Sequence, residues 1–194
     1  MFVTVRIAIA AHILFMEVVV RLVRCFAHRS SRFYFNRNMD TWTPKFDVIR
    51  FVSDARELAK RRVPFRDQGS NPETGLDCIH VCKYLYELQG TLLPEELAKE
   101  FRAYHPTTDG KRMMEIMCQW LIPLPDPADA QPGDLLLFRG KQATRHVAIK
   151  VQDDPIHVVE AYRDDGAGKL LDWPLDPIRS RLIVAAFRIP DFAA

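Results

Sequence analysis

The chain has 194 residues, 48 % of them hydrophobic, which suits one core of ordinary size and favours one domain over two. Its formal charge of +2 is uneven: residues 1–38 hold six arginines against Glu17, leaving 21 basic and 24 acidic groups from Met39 onward. A mildly acidic body argues against a nucleic-acid partner, which needs a basic face to replace the counterions it releases.

In chain order, the first feature is "IAIAAHILFMEVVVRLV". His12, Glu17 and Arg21 break this run below the 18 or more uncharged residues of a spanning helix, and no small-residue cleavage site follows it. Residues 1–38 therefore read as an apolar and basic extension, either untranslated, with Met39 the working start, or a surface anchor. Membrane contact is expected only if that extension is real. Between Pro44 and Arg62, Phe46, Ile49, Phe51, Val52, Ala55, Leu58 and Ala59 recur at helical spacing. "VPFRDQGSNPETGLD", residues 63–77, is rich in turn formers and reads as an irregular loop. Asp77 then suits an N-cap, and Val81, Cys82, Leu85 and Leu88 mark one face of a helix that stops at Gly90. Two more helical stretches span about 94–104 and 110–121, before the proline-rich "IPLPDPADAQPGD".

From there the pattern is that of strands. "DLLLF" (134–138), "HVAIKV" (146–151), "IHVVEAY" (156–162), "KLLDW" (169–173) and "RLIVAAFRI" (181–189) are short, apolar and separated by turn residues. Helices first and strands second predict an α+β fold, with N-terminal helices packed on a C-terminal antiparallel β-sheet.

Four cysteines, Cys25, Cys78, Cys82 and Cys118, lack the spacing of a disulfide scaffold or of paired CxxC zinc sites. Cys78 stands apart because it falls in the first turn of a helix. Backbone NH groups there favour thiolate over thiol and can also hold the oxyanion that thiolate attack creates. The alternative is a small buried hydrophobe, the commoner fate of a lone cysteine. Cys82 and Cys118 are read that way. A base for Cys78 is offered by His146, which opens one predicted strand. If the hairpin reverses at Gln152 and Asp153, His157 lies opposite Ala148 on the face of His146, near enough to orient its ring, and Glu160 faces the other side. A zinc site from "CIHVC" is disfavoured, because on a helix His80 points away from the face shared by Cys78 and Cys82. The acidic residues Asp164, Asp165 and Asp172 lack the ordered spacing of a calcium loop.

These residues resemble a family. "VPFRDQGSNPETGLDC" is similar to the entry segment of the NlpC family of papain-like cell-wall cysteine peptidases, "QPGDLLLF" to its first sheet strand, and "HVAIKVQDDPIHVVEAY" to its histidine hairpin. The closing "WPLDPIRSRLIVAAFRIP" resembles the branch found with phage tails and prophages, and the likeness runs from about Phe46 to Pro190. It implies a papain-like domain over 39–194 with Cys78 as nucleophile, His146 as base and His157 as the orienting residue. Asp77, Phe65 and His80 fall where relatives meet substrate. Asp77 is read first as the helix cap and, through the resemblance, as a contact for a substrate amine.

The implied activity is endopeptidase hydrolysis of amide bonds in peptidoglycan stem peptides, without cofactor or metal. It would take place at the bacterial cell envelope or in a virion tail, with other phage tail proteins as partners. Three residues or spacings depart from the family pattern: Phe65 replaces a tyrosine, His80 replaces a glycine, and the His146 to His157 interval is one residue short. Two alternatives accompany this reading: a catalytically impaired phage tail or assembly protein that keeps the fold, and a Cys/His acyltransferase or deamidase.

Overall fold

A computed structural model describes residues 46–90, 93–103, 110–140, 144–163 and 168–191. The N-terminal extension, residues 1–38, and the acidic pair Asp164 and Asp165 lie outside the described residues.

Helix α1, Val48–Lys60, begins where the Asp47 carboxylate accepts the backbone NH groups of Ile49 and Arg50, both at 3.0 Å. Phe51, Ala55, Leu58 and Ala59 form its buried stripe. Ile49, two residues before Phe51, falls on the opposite side and is 80 % exposed, contrary to its expected place on the apolar face. The stretch 63–77, expected to be irregular, holds a two-strand ladder, β1 Ser70–Asn71 against β2 Gly75–Leu76. Gly75 permits it: its φ is +122°, and a Cβ there would lie 2.7 Å from that of Arg66. Helices α2 (Cys78–Glu87), α3 (Glu95–Ala103) and α4 (Gly110–Trp120) follow.

After β3 (Ile122–Pro123) and a 3-10 turn at Pro127–Asp129, the chain enters β4 (Leu135–Arg139), β5 (Thr144–Asp153), β6 (Ile156–Tyr162) and β7 (Lys169–Pro174). A one-turn helix α5, Pro177–Ser180, absent from the sequence reading, precedes β8, Ile183–Arg188. The sheet is antiparallel throughout, in the order β3-β8-β4-β5-β6-β7. Gly133, at φ +97°, turns the chain into β4 so close to α1 that a Cβ would meet Val48 Cγ2 at 2.2 Å. The helices and the sheet are thereby docked at the PGD turn.

Both sheet faces are apolar, which explains why "DLLLF" is a continuous run rather than an alternating one. Leu135, Leu137, Val147, Ile149, Val159 and Leu170 point into the core shared with the helices. Leu136, Phe138, Ala148, Val158 and Ala186 form a second core, with Trp173, Leu175 and Ile183 packed against it. Full burial of each large side chain stabilises the fold by about 1.5–3 kcal/mol.

Hairpin register decides what the sheet presents. Ile149 pairs with Val159 and Lys150 with Val158; an irregularity follows at Val151, and Gln152 pairs with His157 and Asp153 with Ile156. The reversal falls at Asp154 and Pro155, later than expected. Continued one step, the ladder sets Glu160 opposite Ala148, the place expected for His157.

Candidate active site

Cys78 is the first residue of α2 and is buried. Its position is fixed by Asp77, whose Oδ1 accepts the NH groups of Ile79 at 3.0 Å and His80 at 2.8 Å. The same oxygen meets His80 Nδ1 at 2.9 Å, and Oδ2 accepts the Gln68 NH at 3.1 Å. Asp77 is 4 % exposed, and both its oxygens face internal donors. As a cap it matches expectation, and each of its oxygens already accepts an internal hydrogen bond. His80, also buried, is the residue that adds the side-chain bond. Phe65 sits at the mouth of this segment: its NH donates to Gly168 O at 2.8 Å, and it pairs with Leu76 in an isolated parallel bridge. Its ring packs on the core shared with the helices.

His146 lies near the start of β5, with its ring 5.9 Å from that of Phe138. The imidazole Nε2 is hydrogen-bonded to Glu160 Oε2, and the ring lies near enough to Cys78 for the two to be electrostatically coupled. With Nε2 engaged by the carboxylate, Nδ1 is the ring nitrogen available to exchange a proton. Burial alone would lower the imidazole pKa, but the interactions with Cys78 and Glu160 and the charges of both push it up to about 10.

Glu160, expected on the other face, is the partner that the sequence reading missed. It is 1 % exposed. Trp173 Nε1 donates to its Oε1, and the Arg179 guanidinium reaches Oε2 at 2.8 Å and Oε1 at 2.6 Å. Burial would raise its pKa, but the His146 hydrogen bond and charge, followed by those of Arg179, hold it below the usual carboxylate value. A lone glutamate inside the apolar run "HVVEAY" was the available signal, because a buried charge demands partners.

His157 is not brought to His146, which corrects the expected constellation. It lies opposite Gln152, six residues along β5, or roughly 20 Å at strand rise. Its Nδ1 meets Asp172 Oδ1 at 3.0 Å, and Asp172 Oδ2 faces Arg56 Nε at 3.4 Å. Arg56 in turn donates to Gln152 Oε1 at 2.9 Å. His157 therefore joins a polar cluster tying β5, β6 and β7 to α1. Of the other cysteines, Cys82 packs against the core, where burial first and the charges of Cys78 and Asp77 next push its thiol far up. Cys118 also packs there. Among the described residues, no group of three or more His, Cys, Asp or Glu converges as a metal site, and no helix is long and apolar enough to cross a membrane.

A thiol opening a helix, faced by an imidazole from an antiparallel sheet, defines the papain-like class of cysteine hydrolases. The chain belongs to the NlpC/P60 family, whose model matches residues 62–172. Among solved structures it is similar to an NlpC/P60 family protein from Bacillus cereus, at 19% identity and TM-score 0.53, over 76% of this chain and 42% of that one. It is also similar to a lipoprotein-like NLP/P60 protein from Staphylococcus aureus, at 19% identity and TM-score 0.48, over 78% and 45% of the two chains. A third likeness is to the NlpC/p60 domain of the peptidoglycan hydrolase SagA, at 17% identity and TM-score 0.48, over 74% of this chain and 100% of that domain. The chain thus covers less than half the length of the first two structures, and the Bacillus cereus likeness bears on fold alone. No curated protein matches it in sequence.

Proposed function

We propose that the protein is a cysteine endopeptidase that hydrolyses amide bonds in peptidoglycan stem peptides, with Cys78 as nucleophile, His146 as acid and base, and Glu160 as the orienting residue. One observation carries this reading: His146, coupled electrostatically to Cys78, is hydrogen-bonded through Nε2 to a buried carboxylate. With its pKa pushed up to about 10, His146 holds a proton at neutral pH, and the attacking form of Cys78 is the thiolate.

The sulfur attacks the amide carbonyl, forming a C–S bond and placing negative charge on the oxygen. Among first-turn donors, the Ile79 and His80 NH groups face Asp77 Oδ1 and the Val81 NH faces Asp77 O, which leaves the Cys78 NH for that oxyanion. Collapse breaks the C–N bond, and His146 gives its proton to the departing amine. Neutral His146 then takes a proton from water as the hydroxyl attacks the thioester, and the acid product leaves with thiolate and imidazolium restored. Glu160 keeps Nε2 protonated throughout, so Nδ1 is always the nitrogen that exchanges the proton.

The catalytic domain is read as residues 39–194, with residues 1–38 an extension. The activity belongs at the bacterial cell envelope or in a phage or prophage virion tail, among other tail proteins. The likeness of the closing segment to the phage-tail branch is what supports the second location. Incubating the protein with defined muropeptides, with and without prior alkylation of Cys78, tests the function. Products heavier by one water, lost on alkylation, are expected. Joined acceptors would indicate an acyltransferase, and intact substrate an inactive tail or assembly protein; either overturns the endopeptidase reading.

A further inference from the structure

Arg179 belongs to none of the segments that carry Cys78, His146 or Glu160; it stands on the one-turn helix α5, yet it reaches the proposed machinery. Its guanidinium bonds both oxygens of Glu160, at 2.8 and 2.6 Å. The same group stacks over Trp173, with its carbon 4.6 Å from the ring centroid, and lies 5.6 Å from Phe138 and 5.8 Å from Tyr162. Three rings and a buried carboxylate thus hold one cation in a single pose, with its side chain only 21% exposed.

We propose that Arg179 is a positioning residue that keeps Glu160 ionised when His146 has given up its proton; this rests on the reading of Cys78, His146 and Glu160 as the working set. The reason lies in the cycle itself. His146 alternates between charged and neutral forms, so it cannot be the constant partner of a carboxylate that is 1 % exposed. Left with a neutral imidazole, a buried carboxylate would draw a proton and cease to accept from Nε2–H. Arginine cannot be deprotonated in a protein, so its charge persists through every step. That charge also offsets the pull of Glu160 on the imidazolium proton, which must leave for the amine.

The titratable and charged groups facing one another here are Cys78 of α2, His146 of β5, Glu160 and Tyr162 of β6, and Arg179 of α5. Strands β7 and β4 contribute Trp173 and Phe138, which carry no charge. Removing Arg179 makes the local potential more negative. Thiolate formation and imidazolium deprotonation both move to higher pH, whereas loss of packing alone changes rates without moving midpoints.

The test is the pH dependence of Cys78 alkylation by iodoacetamide, located by peptide mass spectrometry in the full chain, for wild type, Arg179→Met and Arg179→Lys. The Met variant is expected to shift the midpoint alkaline by on the order of one pH unit, and the Lys variant to recover at least half of that. Arg179→Gln takes its place should the Met variant not fold. An unmoved midpoint in a folded, charge-free variant overturns the proposal, as does a Lys variant shifted as far as Met. Because alkylation needs no substrate, a wild type that alkylates normally but cleaves no muropeptide defeats the hydrolase reading alone.

Discussion

Glu160 Oε2 is hydrogen-bonded to His146 Nε2, while His157 is bonded to Asp172 at the far end of the hairpin. The division of labour between these two β6 residues separates the account from a reading in which the third residue is a histidine. Glu160→Gln keeps the shape and loses the charge. It is expected to lower kcat by ~10²–10⁴-fold, the scale seen when the orienting acid of a catalytic triad is neutralised. His157→Ala is expected to stay within about threefold of wild type in kcat, since its partners bear on stability. Steady-state kinetics on one muropeptide distinguishes them, and the reverse order of effects would contradict the assignment.

The pH dependence of stability follows from the same pair. In the fold His146 keeps its proton up to about pH 10, whereas an unfolded histidine loses it near ~6.5. Between these values the native state binds the extra proton. Its contribution is full below about 6.5 and is lost as pH rises through about 10. Glu160, held low, contributes above ~4.5, and that part is lost as pH falls through its native value. Denaturant titrations from neutrality upward should show unfolding free energy falling in wild type and a flatter course in His146→Ala. Parallel curves would refute the linkage.

Asp77 caps the helix that begins at Cys78. Asp77→Ala removes the acceptor for Ile79, His80 and Gln68. The expected cost is about 2 kcal/mol. In thermal unfolding this corresponds to a Tm lower by ~4–8 °C. A Tm within about a degree of wild type would show that the cap contributes little.

His80 bears on selectivity. Because its ring and the backbone donors occupy Asp77, acetylating the amino terminus of a stem-peptide substrate should leave the wild-type KM unchanged within about twofold. His80→Gly frees one side of the carboxylate and should make KM rise on acetylation. The variant should also lose ~1 kcal/mol from a glycine inside a helix. Strong dependence on a free amine in the wild type would show that Asp77 is available after all.

Much of the fold was legible because helical and strand periods occupy separate halves of the body, and the four long helices and the β4 to β8 strands lie where those periods fall. The place of Cys78 at a helix start was legible because Asp77 is an N-cap residue, and that of His146 near the start of a strand because of the β-pattern that follows it. The approach of Glu160 to His146 was not. The Val151 irregularity and the reversal at Asp154 and Pro155 move the register by three residues, and an odd shift exchanges the two faces. Nothing local in "HVAIKVQDDPIHVVEAY" fixes which residues form the turn. Arg179 was hidden for another reason: α5 is one turn long, and its approach to Glu160 is set by β7 and β8 rather than by any period. The short β1–β2 ladder escaped because its two-residue strands carry no alternation.

The most direct measurement is the mass of the intact protein during a single turnover of a stem peptide, quenched in acid and mapped by proteolysis. The account predicts a transient acyl adduct on Cys78, absent in Cys78→Ala, which should also lose hydrolysis. Full hydrolysis by Cys78→Ala, with no adduct on Cys78 in the wild type, would contradict it.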